Sequence, residues 1–152
     1  MSDSLQLDYA EVLEATPYAP PFLFLDEATL GEQFATGIYK IKGNEPVLEG
    51  HLAHKRIFPA SLASESLGQL GVLYLVKNAT SPEGKKVDLK NIVFTSADGI
   101  RAHRICNVGE TLELEIKIKR LRYPMIQLGG KITVDGKKAF FVEQITLAFD
   151  WA

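Results

Sequence analysis

Residues Pro59 to Lys77 constrain the fold of this chain more than any other stretch. The run is too long, and too rich in Leu, Ala and Ser, to be one strand. On a helix, Leu62, Leu67, Leu70, Val72, Leu73, Leu75 and Val76 cover nearly the whole circumference. A helix that is apolar nearly all round must be wrapped by other structure. Gly68 and Gly71 do not bar a buried helix, and the polar run from Asn78 to Lys86 ends it.

The rest of the chain supplies the wrapping. Thr111 to Lys119 alternates strictly, with Leu112, Leu114, Ile116 and Ile118 turned inward and Glu113, Glu115, Lys117 and Lys119 turned to water. Phe34 to Lys42 reads as a strand with Ala35, Gly37, Tyr39 and Ile41 on one face. Val87 to Phe94, Met125 to Val134 and Lys138 to Phe149 are further strands, the last two joined by the hairpin signal Asp135-Gly136. Near the start, Leu5, Tyr9, Val12 and Leu13 have the spacing of a short amphipathic helix. Pro17, Pro20 and Pro21 end it, and Phe22 to Leu25 is suited to a strand start. Long antiparallel strands around one apolar helix predict an α+β fold. With no repeat, low-complexity tract or linker, residues 1–152 are expected to form one domain.

Composition removes several function classes. A formal net charge of -2 argues against a nucleic-acid binder, which normally carries a basic excess. The single cysteine, Cys106, is expected to be a small buried residue, since alone it builds neither a disulfide nor a Cys-rich zinc site. His51 and His54, three apart, lack a third ligand beyond the weak candidate Glu49, so no metal site is expected, and no cofactor. The strongly apolar run from Leu70 to Val76 is far short of a membrane span, and the first residues do not read as a signal peptide. A cytoplasmic protein is the expectation.

Chemistry gathers at the start of the central helix, at Gly50-His51, Pro59-Ala60, and Glu65 with Gln69. Glu65 sits on an otherwise apolar helix, where a low dielectric pushes a carboxyl pKa upward and favours the protonated acid. Gln69 lies one turn further on the same face, within reach of Glu65 or its water. His51 precedes Glu65 by fourteen residues in a turn that feeds the helix; a neutral imidazole accepts a proton near neutral pH. Taken singly, a loop histidine is more often structural or exposed, and a helix glutamate can be a rim residue or a dimer contact.

The context is more specific. Asn44-Glu45-Pro46, Gly50-His51, Pro59-Ala60, Glu65 and Gln69 together resemble the signature of the 3-hydroxyacyl-[acyl-carrier-protein] dehydratase family. That signature runs from Asn-Glu-Pro to Gly-His-Phe-Pro and Pro-Gly, then to an acid fourteen positions after the histidine and a Gln four further on. Pro21-Phe22-Leu23-Phe24-Leu25-Asp26, Val108-Gly109-Glu110, Val134-Asp135-Gly136-Lys137 and Glu143 extend the likeness from about Val12 to Phe149.

The resemblance implies a hot-dog fold, an antiparallel sheet wrapped around a long central helix, assembled as a homodimer or an assembly of dimers. It implies active sites at the dimer interface, with His51 of one subunit facing Glu65 of the other. It also implies a substrate class, a 3-hydroxyacyl chain on the phosphopantetheine of an acyl carrier protein, dehydrated to the trans-2-enoyl thioester in fatty-acid or related acyl or polyketide biosynthesis. His51 would be the base, Glu65 the acid and the Ala60 backbone N–H the oxyanion donor, with Gly50, Pro59 and Gln69 in support. Glu65 in place of Asp looks like the dehydratase-only branch. Two other readings share the fold: an acyl thioesterase, and a non-catalytic acyl-binding subunit.

The chain departs from the signature at Ala53, which replaces a proline two residues after the histidine and removes a rigid element from the turn. It departs again at Ala60, which replaces glycine, and at Tyr18-Ala19-Pro20-Pro21, which replaces His-Arg-Tyr-Pro. These mark a divergent member, suited to a specialised acyl pathway. His54 and His103 are expected to be exposed. Lys55, Arg56, Arg101 and Arg104 form either a basic rim for an acidic carrier or ordinary solvated charge.

Overall fold

A computed structural model describes residues 4–49 and 55–152. The central helix, α2, runs from Ala60 to Asn78, with Pro59 as its N-cap residue in extended conformation. Every residue from Leu62 to Leu75 except Glu65 is buried, as an all-round apolar pattern requires.

The sheet that wraps it has seven strands. They are β1 (Leu5–Leu7), β2 (Glu27–Leu30), β3 (Phe34–Lys40), β5 (Val87–Ala102), β7 (Thr111–Arg122), β8 (Met125–Val134) and β9 (Lys137–Trp151), in the order β1-β2-β3-β7-β8-β9-β5. All neighbours are antiparallel. A second, two-stranded ladder pairs β4 (Ile57–Phe58) with β6 (Cys106–Asn107) and ties the entry of α2 to the loop before β7. The result is the expected α+β hot-dog arrangement.

On β7, Leu112, Leu114 and Ile116 are buried while Thr111, Glu113, Glu115 and Lys117 are exposed, which is the predicted alternation. β3 likewise buries Ala35, Gly37 and Tyr39, and Ile41 follows just beyond its end. Asp135 and Gly136 both adopt positive φ, 52° and 76°, as a two-residue hairpin with a right-handed strand twist requires.

Two expectations fail near the start. Leu5 to Leu13 is not one helix. Leu5–Leu7 pairs with β2, and the helix α1 covers only Tyr9–Ala15. Asp8 sets the boundary with a capping box: its Oδ1 accepts from the Glu11 N–H at 2.9 Å, and Glu11 Oε1 accepts from the Asp8 N–H at 3.1 Å. Only Val12 of α1 is buried. Phe22 to Leu25 is not a strand start either. Leu23, Phe24 and Leu25 are buried, but the backbone of Phe22 and Phe24 bonds to a helix side chain instead of a strand, and pairing begins at Glu27.

β5, β7 and β9 exceed their predicted lengths, β5 most of all, while β8 has its predicted bounds and β3 ends two residues early at Lys40. Its inward face is reset by a register shift between Phe94 and Ser96, so no single alternation runs through it. Among the described residues, no helix is long and apolar enough to cross a membrane.

Candidate active site

Glu65 is the one residue of α2 between Leu62 and Leu75 that is not buried, on a turn whose other side chains enter the core. Burial raises its carboxyl pKa, and a hydrogen bond from Gln69 pulls it part of the way back. Gln69 Nε2 donates to Glu65 Oε2 at 3.1 Å and to the carbonyl of Phe22 at 3.0 Å, while Gln69 Oε1 accepts from the Phe24 N–H at 2.8 Å. Both amide hydrogens and the amide oxygen of this fully buried side chain are engaged, so its orientation is fixed. With Oε2 accepting from Gln69, the acidic proton of Glu65 belongs on Oε1.

Two features of this surrounding were not legible beforehand. The Phe22–Phe24 backbone is clamped to Gln69 across more than forty residues of chain, which no local pattern encodes. Tyr18, part-buried against the core, lies close enough to Glu65 to feel its charge; burial first, and Glu65 second, raise its phenol to about 12. A hint for Tyr18 existed in its place within the divergent Tyr-Ala-Pro-Pro segment.

Ala60 is the first residue of α2, so its N–H precedes the helix's own ladder. The N–H groups of Leu62 and Ala63 both turn back to the Pro59 carbonyl at 3.0 Å. The start of α2 is thus held in shape, with the positive end of the helix dipole at Ala60. Gly50, His51, Ala53 and His54 lie outside the described residues. Among the described residues that precede them in the chain, Glu45 has a buried carboxylate that accepts from the Tyr39 hydroxyl and from the amides of Lys42 (3.1 Å) and Gly43 (2.6 Å). Burial alone would raise its pKa; the hydrogen bonds, that from Tyr39 foremost, outweigh it and hold Glu45 below the usual carboxylate range.

β5 closes the other side of the helix. A Cβ placed on Gly68 would meet the Phe94 ring at 2.8 Å, so Phe94 packs directly on α2 within one turn of Glu65. Phe94 remains 38% exposed, and on the same edge strand Val93 and Ile100 are 58% and 47% exposed.

Of the remaining candidates, Cys106 is buried and His103 is exposed. Two of the four basic residues are engaged within the chain. Arg104 donates to Glu110 at 2.5 Å, and Arg56 donates to the Gly43 carbonyl at 2.5 Å, with Glu49 at 3.8 Å.

Comparison with known proteins bears on the family and the fold. Residues 17–143 match the model of the FabA-like domain. The chain is 34% identical over 134 residues to the 3-hydroxyacyl-[acyl-carrier-protein] dehydratase FabZ of Staphylococcus carnosus, covering 87% of this chain and 88% of the relative. The corresponding FabZ of Staphylococcus aureus strain JH9 is 31% identical over 134 residues, with the same coverage. Among solved structures, the dehydratase heterocomplex ApeI:P from Xenorhabdus doucetiae superposes with a TM-score of 0.77 at 12% identity, over 91% of this chain and 90% of that one. A hypothetical thioesterase with coenzyme A from Streptococcus pneumoniae gives 0.59 at 8% identity, over 80% and 82%. At such identities the structural matches speak for the shared fold.

Proposed function

The chain belongs to the FabA-like family, and on that premise we propose that it dehydrates 3-hydroxyacyl thioesters carried by an acyl carrier protein, giving trans-2-enoyl thioesters in fatty-acid or related acyl biosynthesis. The observation that carries this reading is Glu65: a carboxyl held toward its protonated form by burial, oriented by a fully engaged Gln69, fourteen residues after His51 in the chain. A hydro-lyase needs such a group, an acid that is still protonated where its partner base is neutral.

In this mechanism neutral His51 takes a proton from C2 of the thioester. The electron pair moves toward the carbonyl oxygen, where the Ala60 N–H and the dipole of α2 stabilise the developing charge. Glu65 then donates its Oε1 proton to the 3-hydroxyl, the C3–O bond breaks, water leaves and the C2–C3 double bond forms. The imidazolium of His51 returns its proton to the Glu65 carboxylate through solvent, which resets the site. No oxidation or reduction occurs, and no cofactor is consumed. In this reading Gly50 and Pro59 support the pair.

The functional unit in this reading is a homodimer, or an assembly of dimers, whose sites take His51 from one subunit and Glu65 from the other. A long edge strand with exposed apolar side chains next to α2 supports it, because such an edge invites pairing with another chain. The opposite edge, β1, has only three residues. We place the enzyme in the cytoplasm with its carrier.

The test is a panel of 3-hydroxyacyl thioesters of increasing chain length, on carrier protein and on coenzyme A, followed at the enoyl absorbance beside His51→Ala and Glu65→Gln. Enoyl formation by wild type, lost in both variants and partly restored by mixing them after subunit exchange, is the expected result. Free thiol release without enoyl formation would assign a thioesterase. Dehydration unchanged in both variants would remove the pair from the chemistry.

A further inference from the structure

The outward face of β7 carries its charges in a fixed order. Alternation turns Glu113, Glu115 and Lys117 to water, and Lys119 lies on the same face, so the row runs acid, acid, base, base along the strand. The neighbouring strands repeat the division. A depression of about 360 Å³ over β2, β3, β7 and β8 is lined by Glu27, Glu113 and Glu115 with one base, Lys131. Beside it, a second of about 280 Å³ over β7, β8 and β9 is lined by Lys117, Lys119 and Lys131 with two acids, Glu115 and Glu143. Both ends of the row are held in place. Glu113 Oε1 accepts from the Thr133 hydroxyl at 2.9 Å and from the Gly136 N–H at 3.1 Å, and Lys119 Nζ donates to the Glu143 carbonyl at 2.7 Å. Glu113 Oε2 and two hydrogens of the Lys119 ammonium stay free for another partner, and little side-chain freedom remains to be lost when one arrives.

We propose that this face docks a second copy of the chain in reversed orientation, joining two molecules, or two dimers where β5 is already paired, through the outer surfaces of their sheets. A two-fold axis between the sheets, perpendicular to the strands and passing between Glu115 and Lys117, sets Glu113 opposite the partner's Lys119 and Glu115 opposite the partner's Lys117. Stacked sheets lie about 10 Å apart with strands within about 30° of each other, a gap that facing Lys and Glu side chains span. Lys131 is level with Glu115 and Gly129 with Lys117, so the same axis brings a long side chain over a floor that has none. Phe34 and Phe141, 45% and 40% exposed on this face, lose water as the sheets meet. A copy in parallel orientation sets like charges against each other, so the order of the row selects the reversed one. Exposed ion pairs are weak singly and are screened by salt, so the contact forms at low ionic strength and opens at high. The inference stands apart from the dehydratase reading and uses none of the residues placed in its site.

The test is the mass of the full chain by sedimentation velocity at about 0.1 M and about 1 M salt, between which the screening length falls from about 10 Å to about 3 Å. Wild type is expected at twice the mass in the low-salt arm. Any pairing through the β5 edge is read in the high-salt arm, where the outer faces are apart. Glu113→Lys with Glu115→Lys, and separately Lys117→Glu with Lys119→Glu, each give the row a single sign, and each should keep the smaller mass in both arms. Mixed in equal amounts, the two variants should regain the doubled mass. One chain carrying all four changes should regain it as well, because its row is again self-complementary. Glu115→Lys and Lys117→Glu alone leave the hydrogen bonds of Glu113 and Lys119 intact and form a milder pair for the same mixing, with circular dichroism to check that each variant folds. A wild-type mass that neither salt nor the single-sign variants change overturns the docking. So does a mixture no heavier than its parts.

Discussion

Gln69 donates to Glu65 across one turn of a buried helix while its remaining polar atoms hold the backbone of Phe22 and Phe24. Glu65 is thereby connected to a segment more than forty residues earlier in the chain, and one side chain bears both on stability and on the proposed acid.

Replacing Gln69 separates the two. Gln69→Leu leaves the buried Phe24 N–H without its partner, which costs about 1–3 kcal/mol, and frees the part-buried Phe22 carbonyl as well. The hydrogen bond from Gln69 lowers the Glu65 pKa, so its loss lets burial act unopposed and the pKa rises. The alkaline limb of the kcat/KM profile, where the acid loses its proton, should move to higher pH while the maximum falls. A denaturation midpoint and a pH–rate profile measured on the same variant check both parts.

Glu65 itself should trade stability for function. Its folded pKa is raised above the unfolded value, so the folded state binds more protons between the two, and stability falls as pH rises through that window. Glu65→Gln removes the cost without losing the acceptor for Gln69. The variant is expected to melt above wild type at pH 7–8, by about 2–4 °C if the gain is about 1 kcal/mol. The gap should close below the ordinary glutamate range, and scanning calorimetry at pH 4 and pH 8 measures it.

Tyr39 and Glu45 show the opposite linkage. Glu45 is held below the usual carboxylate range, so its stabilisation is present above the unfolded pKa and is lost as pH falls through the folded one. Tyr39→Phe removes the leading hydrogen bond and should cost about 1.5–3 kcal/mol at neutral pH, the worth of a hydrogen bond to a charged group, while the Lys42 and Gly43 amides still serve the carboxylate. The cost should shrink in acid, where Glu45 is protonated in both proteins. Urea midpoints followed from pH 7 down into the acid range give the comparison. A pH-independent difference would separate the effect of the hydroxyl from the charge of Glu45.

What could be read from the sequence depended on whether a signal was local. The alternation of Thr111 to Lys119 and the Asp135-Gly136 turn were legible because strand faces and positive-φ turns are decided within a few residues. The all-round apolar run of α2 announced its burial in the same way. β5 was read only to Phe94, because the register shift before Ser96 breaks the period by which strands are recognised. Phe22 to Leu25 looked like strand because an apolar run shows burial and not the identity of its hydrogen-bond partner, here Gln69. In the site, Glu65 and Gln69 sit on one helix and their contact follows from helical geometry. Tyr18, the Glu45 cradle and the Arg56 bond to Gly43 join elements that only the tertiary fold brings together.

The exposed face of β5 offers the last prediction. Val93 pairs with Ala148 and Ile100 with Val142, so the two side chains lie at different points along the same edge strand, each about half exposed or more. In a monomer, a charge at either position would be nearly neutral, within about 0.5 kcal/mol, as for ordinary surface substitutions. If β5 is instead the seam of a dimer, Val93→Lys with Ile100→Lys places charge on both sides of a pairing edge and repels its symmetric copy. The double variant should then sediment as a folded monomer with its circular dichroism retained, and dehydration should fall at least about a hundredfold, the scale of loss from misplacing a catalytic group, because Glu65 loses the partner's His51. Light scattering with activity on the same sample makes the test. A dimeric, fully active double variant would move the interface away from β5, and a monomeric active wild type would bring His51 and Glu65 of one chain into a single site.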